Sequence, residues 1–473
     1  MAETSGSRPG LDSPASISVQ RIGRPAKGPL SGTRAARQLE SGQVETAQRR
    51  GLRPRLAGLG SNRLVRQNLV LFAGGLVAGV GGFVYHAIAG RVLGPSLYGD
   101  VASLIALYAV FTAPALIMVV VLARYAASLV ASGADSSIRY LVVRSSQVTI
   151  LPTIVIVVAG FALAVPTAQF LHLHSPLPVI WLGFGIAALW QTGIPRGILQ
   201  GIQNFTGLSA NLSLEMIVRC AALSILLAAG LGVTGATISV MAGTAFAYGL
   251  GMYTLRAQLG KASVRAPLRS MIGFSLTAAA GTLGIMLLYN LDVILAKHYL
   301  SPHDGGIYGS LNKIGTILYF LTLSVSQVLY PRVVEALMRN NHPGRLVAYS
   351  AGIVGVLGAG ALLVFGVVPG LVVRLLFGPS FIDAETYIFL VGVIGLALSL
   401  NNLLVQFFMA AHDRWFIPIL WAGVVMLGVS VSLYHGGVGS IVTDVLGTML
   451  ALLAALTVRL LFLLPRLQPV VPE

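Results

Sequence analysis

Asp292 and Lys313 are opposite charges placed in two successive apolar segments of the chain. Asp292 lies in YNLDVILAKHYL and Lys313 in IYGSLNKIG, and the polar break SPHDGG separates the two segments. With a rise of about 1.5 Å per helical residue, both charges lie roughly 10 to 12 Å from the break, at a similar depth on neighbouring helices. An ionised side chain inside a bilayer is costly unless it is paired or hydrated. The spacing therefore predicts a mutually neutralised ion pair or the wall of a water-filled cavity.

Further charges interrupt the N-terminal apolar segments. Glu215 and Arg219 are four residues apart, which places a carboxylate and a guanidinium on the same face of one helix. Arg91 and Asp100 flank a Gly-Pro break, and Arg196 lies at the end of the fourth apolar segment. Salt bridges and helix-end anchors explain these positions as well as a binding site does. In the functional alternative, the cations converge on one cavity that receives a large anionic substrate.

Signatures of enzymes and of metal sites are missing from the sequence. No GxxxxGK[S/T] phosphate loop is present, so we do not expect this chain to hydrolyse ATP. His172 and His174 share one loop but have no third ligand nearby, and the single cysteine, Cys220, lies in an apolar segment. We therefore expect a protein that is not an enzyme and that holds no metal or organic cofactor.

The composition is that of a polytopic membrane protein. Of the 473 residues, 56% are hydrophobic and only 10% are charged, and the mean hydropathy is +0.84. Soluble domains carry about 25% charged residues. A net charge of +16 would suggest nucleic-acid binding in a soluble protein, but here the basic residues gather in a tail and in short loops. We expect membrane lipids and no nucleic acid among the partners.

The apolar segments that are long enough to span a bilayer follow one another from Asn68 onward, with short connections. They are centred near Gly79, Tyr108, Ile156, Ala187, Leu223, Gly243, Gly281, Leu318, Val356, Ile394, Val425 and Leu452. The expected fold is an all-α integral membrane protein with about 12 transmembrane helices. We expect residues 1–66 to be a disordered basic cytoplasmic tail, 67–260 the N-terminal six-helix bundle and 261–473 the C-terminal six-helix bundle.

Basic residues are distributed unequally between the two ends of the predicted helices. The end that includes the tail collects 26 of the 31 lysines and arginines, among them Arg124, Arg139 and Arg256. Such a bias marks the cytoplasmic side of a membrane protein. It predicts that both termini are cytoplasmic and that the loop around His172 lies on the opposite side.

A short repeat suggests that the two bundles are homologous. The turn LGPSLYGD is echoed by LSPHDGGIYGS, where Leu93, Pro95, Tyr98 and Gly99 recur as Leu300, Pro302, Tyr308 and Gly309 if three residues are inserted. The copies are about 210 residues apart. Internal repeats of this kind are common among secondary transporters.

Several stretches together resemble the polysaccharide exporter and lipid-linked oligosaccharide flippase (O-antigen flippase-like) branch of the multidrug/oligosaccharidyl-lipid/polysaccharide transporter superfamily. They are GRVLGPSLYGDVASLIAL, RGILQGIQNFTGLSANLSLEMIVR, NLDVILAKHYLSPHDGGIYGSLNKIG, VLYPRVVEA and LFGPSFIDAETYIFLVGV. The likeness covers about residues 66–465, and its motifs are structural corners. It implies two pseudo-symmetric six-helix bundles that form a V around a central cavity, and alternating access that moves a polyprenyl-linked saccharide across the membrane.

The resemblance implies a flippase of the bacterial cytoplasmic (inner) membrane that serves cell-surface polysaccharide assembly, beside a polysaccharide polymerase and glycosyltransferases. Arg219, Lys313, Arg91 and Arg196 are the candidates for binding the (pyro)phosphate of the substrate. Asp292 and Glu215 are candidates for a structural ion pair or, at Asp292, for binding a coupling H⁺ or Na⁺.

Three other functions stay open at this stage, and one of them is a scaffold that has lost transport activity. A cation-coupled multidrug exporter of the same superfamily would favour acidic residues in its cavity, and this chain offers few. A membrane saccharide polymerase usually needs a long extracytoplasmic loop, whereas the corresponding loops here are near a dozen residues long.

Overall fold

Apolar α-helices build nearly all of the structure, a computed structural model that describes residues 57–133, 137–259, 272–338 and 343–467. No β-strand occurs in these ranges. The helices are α1 (Ala57–Val110), α2 (Thr112–Ala131), α3 (Ser137–Ala162), α4 (Ala164–Phe170), α5 (Leu177–Gly201), α6 (Phe205–Ala228), α7 (Gly232–Thr254), α8 (Arg256–Leu259), α9 (Ile272–Tyr299), α10 (Pro302–Met338), α11 (Pro343–Val367), α12 (Pro369–Leu376), α13 (Ile388–Ala410), α14 (Phe416–Leu433) and α15 (Val438–Leu463), with 3₁₀ segments at Pro379–Tyr387 and Leu464–Leu467.

The described ranges contain eleven continuous helical runs that are long and apolar enough to cross a membrane. The first run, Leu69–Ala131, is broken at Gly94, where φ is 70° and ψ is 174°, so it supplies two spans rather than one. Glycine adopts this positive φ without strain, and the proline that follows can begin a helix because it needs no N–H there. The all-α membrane fold with about twelve spans is therefore confirmed.

We call α1–α8 the N-half and α9–α15 the C-half, in chain order. In the N-half, α5 packs against α2, α3 and α7, and α6 packs against α7. In the C-half, α13 packs against α10, α11 and α15, and α14 packs against α9 and α15. The boundary predicted at residue 260, the basic loop beyond Leu259 and most of the predicted tail lie outside the described residues, so the division into 1–66, 67–260 and 261–473 stays a prediction.

The Gly94 turn and the break between α9 and α10 lie against each other, at what we call the turn end. A Cβ added to Gly99 would lie 2.9 Å from the backbone nitrogen of Gly306, and one added to Gly309 would lie 2.8 Å from the Ala102 Cβ. A Cβ on Gly306 would overlap the carbonyl group of Pro95. Absence of side chains is thus what lets the two turns touch.

These contacts favour a different register for the sequence repeat. The pairs Gly99–Gly306 and Ala102–Gly309 are each 207 positions apart, as are the helix starts Pro95 and Pro302. Equivalent positions of a repeat meet in this way when the two copies are related by an approximate twofold axis. The contacts therefore favour an alignment without the inserted residues, in which Gly99 corresponds to Gly306 rather than to Gly309.

The apolar core differs between the two ends of the molecule. One cluster of buried side chains runs through both halves and includes Tyr98 and Phe381 near the turns. A second cluster, which includes Leu122, Ile138 and Ile198, belongs to the N-half alone. Because α2 runs away from the turn end, this separate core lies toward the opposite end, where the described N-half has an interior of its own.

Candidate functional site

Glu215 lies between two arginines inside the N-half. It is on α6, one helical turn before Arg219, whose guanidinium donates to Glu215 Oε1 at 2.7 Å. Arg196, which follows Pro195 on α5, pairs with the other carboxylate oxygen, and its Nε donates to Asn211 Oδ1 at 2.8 Å. The structure thus brings three of the predicted site residues into one cluster, in which two guanidinium groups share one carboxylate.

Neighbouring helices enclose this cluster. Arg219 lies 5.4 Å from the ring centroid of Tyr108, whose hydroxyl is 3.1 Å from Thr244 Oγ1 on α7. The close approach of α7 depends on Gly243, where an added Cβ would lie 2.9 Å from Arg219 Cβ. Arg219 and Glu215 are buried, whereas the Arg196 side chain is 14% exposed. With two cations and one anion, the cluster carries one excess positive charge.

Asp292 and Lys313 are both buried in the C-half, but they do not form an ion pair. No nitrogen–oxygen contact within 4.0 Å joins them in the described part of the chain, although each lies within electrostatic reach of the other. The Asp292 carboxylate is held instead by Tyr308, whose hydroxyl donates to Oδ2 at 2.7 Å, and by Asn312, whose Nδ2 donates to the same oxygen at 3.0 Å. Asp292 and Lys313 therefore do not neutralise each other by direct contact in this structure.

A small cavity lies beside Asp292, between α9, α10, α13 and α15. Its volume is about 30 Å³, and Asp292, Asn312, Tyr289, Tyr308 and Thr316 contribute its polar lining. Three oxygens at this cavity, Asp292 Oδ1, Asn312 Oδ1 and the Tyr289 hydroxyl, are buried and have no hydrogen-bond partner. A cavity of this size has room for a water or a small cation. Carboxylate and amide oxygens are hard ligands of the kind that such cations prefer.

Within the described ranges, no three His, Cys, Asp or Glu residues come together as a metal-binding group. His172 and His174 lie between α4 and α5 at the turn end, where the His172 ring stacks on that of His298 at 5.4 Å.

Lys313 is the buried cation among the predicted ones that lacks a counter-charge. It is 7% exposed and lies on α10, and in the described part of the chain it has neither a hydrogen bond nor an ion pair within 4.0 Å. A largely buried lysine without a carboxylate partner favours an anion beside its ammonium group.

Arg91 is separate from these interior charges. It is exposed at the turn end, where its guanidinium donates to the carbonyl of Leu375. The four predicted cations therefore occupy three places: Arg196 and Arg219 in the N-half cluster, Lys313 in the C-half, and Arg91 at the turn end.

Asp100, which the sequence places beside Arg91, pairs instead with Lys297 of α9 at 2.6 Å. The sequence analysis did not predict this pair, because Lys297 was interpreted as a residue at the end of a helix in the other half. The repeated turn could have indicated it. If the two copies of the repeated turn contact each other, a lysine just before the second turn can reach an aspartate just after the first.

Comparison of the fold with solved structures finds membrane transporters. An inward-facing multidrug resistance MATE family transporter of the MOP superfamily matches with a TM-score of 0.70 and 12% identity, over 84% of this chain and 98% of that one. The lipid II flippase MurJ, in an inward closed conformation, matches with a TM-score of 0.61 and 11% identity, over 83% and 87%. An outward-facing MATE family transporter gives a TM-score of 0.57 with 14% identity, over 84% and 96%.

Sequence comparison gives the family. No curated protein sequence matches the chain significantly. The family model described as "Polysaccharide biosynthesis protein" matches residues 64–337, more than half of the chain, and includes the N-half cluster, the two turns, Asp292 and Lys313. With the fold of these solved structures and a family match of this extent, the chain belongs to the polysaccharide biosynthesis protein family.

Proposed function

We propose that the protein is a flippase that moves a polyprenyl-(pyro)phosphate-linked oligosaccharide between leaflets by alternating access, for cell-surface polysaccharide biosynthesis. The observation that carries the proposal is Lys313, a buried lysine without an acidic partner in the described part of a protein of this family. A (pyro)phosphate would supply the missing negative charge. Arg196 would add a second, partly exposed cation from the N-half cluster.

The proposed route divides the substrate between water and lipid. The phosphate and saccharide pass through the hydrated interior between the halves, while the polyprenyl chain stays in the bilayer. Each buried methylene contributes about 0.8 kcal/mol to membrane binding, so a long polyprenyl chain stays anchored throughout. Only the polar head has to be transferred, and this is the part that the interior cations recognise.

The proposed orientation places the turn end on the outer side of a bacterial cytoplasmic membrane. The opposite end carries most of the basic residues, which supports cytoplasmic termini. The separate N-half core at that end supports a cleft that opens toward the cytoplasm, where lipid-linked saccharides would enter. Glycosyltransferases would supply the substrate and a polysaccharide polymerase would consume it on the other side.

The proposed energy source is a coupling cation, H⁺ or Na⁺, at the Asp292 cavity. The unpartnered oxygens of Asp292 and Asn312 support a small cation there. The same cavity also favours a second candidate function, a cation-coupled multidrug exporter, because a buried carboxylate is what coupling to an ion requires. Lys313 distinguishes the two, since a cationic drug gains nothing from a nearby ammonium group.

The test is reconstitution of the purified protein in proteoliposomes. We expect transfer of a polyprenyl-pyrophosphate-linked oligosaccharide, measured by its accessibility to an enzyme or label on one side, and a loss of about tenfold or more in Lys313→Gln because one charged contact is removed. The matched control is Arg374→Gln, which removes one positive charge from an exposed position. Transport of cationic drugs without transfer of the lipid-linked saccharide would overturn the proposal.

A further inference from the structure

The ion pair of Asp100 and Lys297 joins the two halves inside the protein. Asp100 lies on α1 just after the Gly94 turn, and Lys297 lies near the end of α9. The Lys297 Nζ is 2.6 Å from Asp100 Oδ1, and the two side chains are only 3% and 4% exposed. Both charges are therefore withdrawn from solvent at a place where the halves meet.

Apolar and backbone contacts between the halves surround this pair. On one side, Gly99 packs against the backbone of Gly306. On another, the Tyr98 ring lies 5.3 Å from that of Phe377 in the C-half. These contacts leave the pair in a dry junction at the turn end.

A third contact covers the end of α9, next to Lys297. The His298 ring stacks on Phe170 of the N-half at 4.1 Å, and its Nδ1 lies 2.7 Å from the Phe170 carbonyl oxygen. The N-half thereby closes over the turn end from the α4 side as well.

The energetics of such a pair favour reversible closure. Removing two charges from water costs nearly as much as their mutual attraction returns, so a buried ion pair contributes little net stability compared with two apolar side chains. Loss of one partner alone is different, because it leaves an unpaired charge in the dry junction. If the halves separate at the turn end, both Asp100 and Lys297 gain water, which offsets the lost contact.

We propose that Asp100 and Lys297 form an ionic latch that closes the turn end of the transport path and releases it when water enters between the halves. This inference rests on the proposed alternating access, but it concerns which end is open rather than what is carried. The latch gives closure that depends on both charges, and it keeps the closed state from becoming permanent.

The test measures how often the turn end opens. In a Cys220→Ser background, Ala102→Cys places a reporter thiol at a fully buried position that faces Gly309 of the other half. The purified protein in lipid nanodiscs is treated with a membrane-impermeant maleimide, and the labelling rate is measured. Ser103→Cys, a near-isosteric change at another fully buried position, is the second reporter in case the added sulfur at Ala102 disturbs the contact.

We expect a definite order of labelling rates. Asp100→Asn and Lys297→Met should each raise the rate by about tenfold or more, since either leaves a buried polar or charged group unpaired in the closed state. The double variant Asp100→Leu/Lys297→Met should label more slowly than the parent, because two apolar side chains favour closure without a desolvation cost. His303→Asn, which breaks an exposed pair with Asp383 at the same end, should leave the rate unchanged.

Two results would overturn the latch. One is parental labelling in both single variants, and the other is a double variant that labels as fast as the single ones. No substrate is needed for this measurement. Failure of lipid-linked saccharide transfer with the expected order intact would therefore reject the proposed substrate and keep the latch.

Discussion

At the scale of single residues, the interior charges differ in how fully they are neutralised. Glu215 is shared by Arg196 and Arg219, so the N-half cluster is a connected network with one surplus charge. Asp292 accepts two neutral donors and keeps one carboxylate oxygen free, and Lys313 has no acidic partner within 4.0 Å in the described ranges. In the described ranges, most of the buried polar atoms without a partner are thus in the C-half.

We expect substitutions of Asp292 and of Lys313 to impair different properties of transport. Lys313→Gln should weaken transfer of the anionic substrate, whereas Asp292→Asn should abolish the dependence of transfer on the H⁺ or Na⁺ gradient. Because the two groups are not in contact, the double variant should be at least as defective as either single variant. Transfer assays with and without an imposed gradient, at matched protein content, separate these effects.

Recovery of transfer in the double variant would contradict this expectation, because it would mean that the two charges act by neutralising each other. Tyr308→Phe is a useful companion variant. It removes the hydroxyl that donates to Asp292 Oδ2 and leaves Lys313 unchanged, so it should alter the cation dependence alone.

The charged residues themselves could be chosen from the sequence, but most of their partners could not. Glu215 and Arg219 are one helical turn apart, and their contact follows from helix geometry. Asp292 and Lys313 were matched by depth alone. A similar depth in the membrane does not determine which face of each helix a side chain occupies. In the structure, the Asp292 carboxylate accepts hydrogen bonds from Tyr308 and Asn312. Asp100 and Lys297 are almost two hundred positions apart, and only the packing of the halves reveals them.

At the scale of the secondary-structure elements, the helices were predictable because each spanning segment satisfies its own backbone hydrogen bonds and must be apolar over its length. The break at Gly94 follows in the same way from a glycine before a proline. The contacts between the two turns favour a register of the repeat that lacks the three inserted residues. Two tyrosines, Tyr98 and Tyr308, suggested an insertion, whereas the backbone contact between Gly99 and Gly306 shows where the helices meet.

Gly306 is a position at which the contact between the two turns leaves no room for a side chain. In Gly306→Ala, the new Cβ would overlap the Pro95 carbonyl, and backbone atoms cannot move aside as a flexible side chain can. We expect the two turns to separate and the Ala102→Cys reporter to label faster by about tenfold or more, as for loss of a packed contact between halves. Labelling in nanodiscs measures this effect.

Gly82→Ala is the control for Gly306→Ala, because nothing lies within 4 Å of a Cβ added at that helical glycine. It should label at the parental rate. Equal labelling of the parent and Gly306→Ala would show that the turn contact does not hold the two halves together.

At the scale of the whole molecule, orientation in the membrane follows from the basic residues. We expect reporter fusions after Leu259 to be cytoplasmic and fusions in the loop at His172 to be on the outer side. Alkaline phosphatase and fluorescent-protein fusions at the two positions give opposite signals for the two compartments. A fusion at His172 that reports the cytoplasm would reverse the proposed direction of transfer.

The contact between the two turns has a consequence for the origin of the fold. Gly99 meets Gly306 and Ala102 meets Gly309, so each turn presents the same patch to its counterpart. Such an isologous contact is the kind that two identical subunits form around a dyad. A single half-length chain would need to encode this patch only once to assemble as a homodimer. Joining two copies end to end would preserve the interface and free each copy to acquire its own charges, such as Asp100 in one and Lys297 in the other.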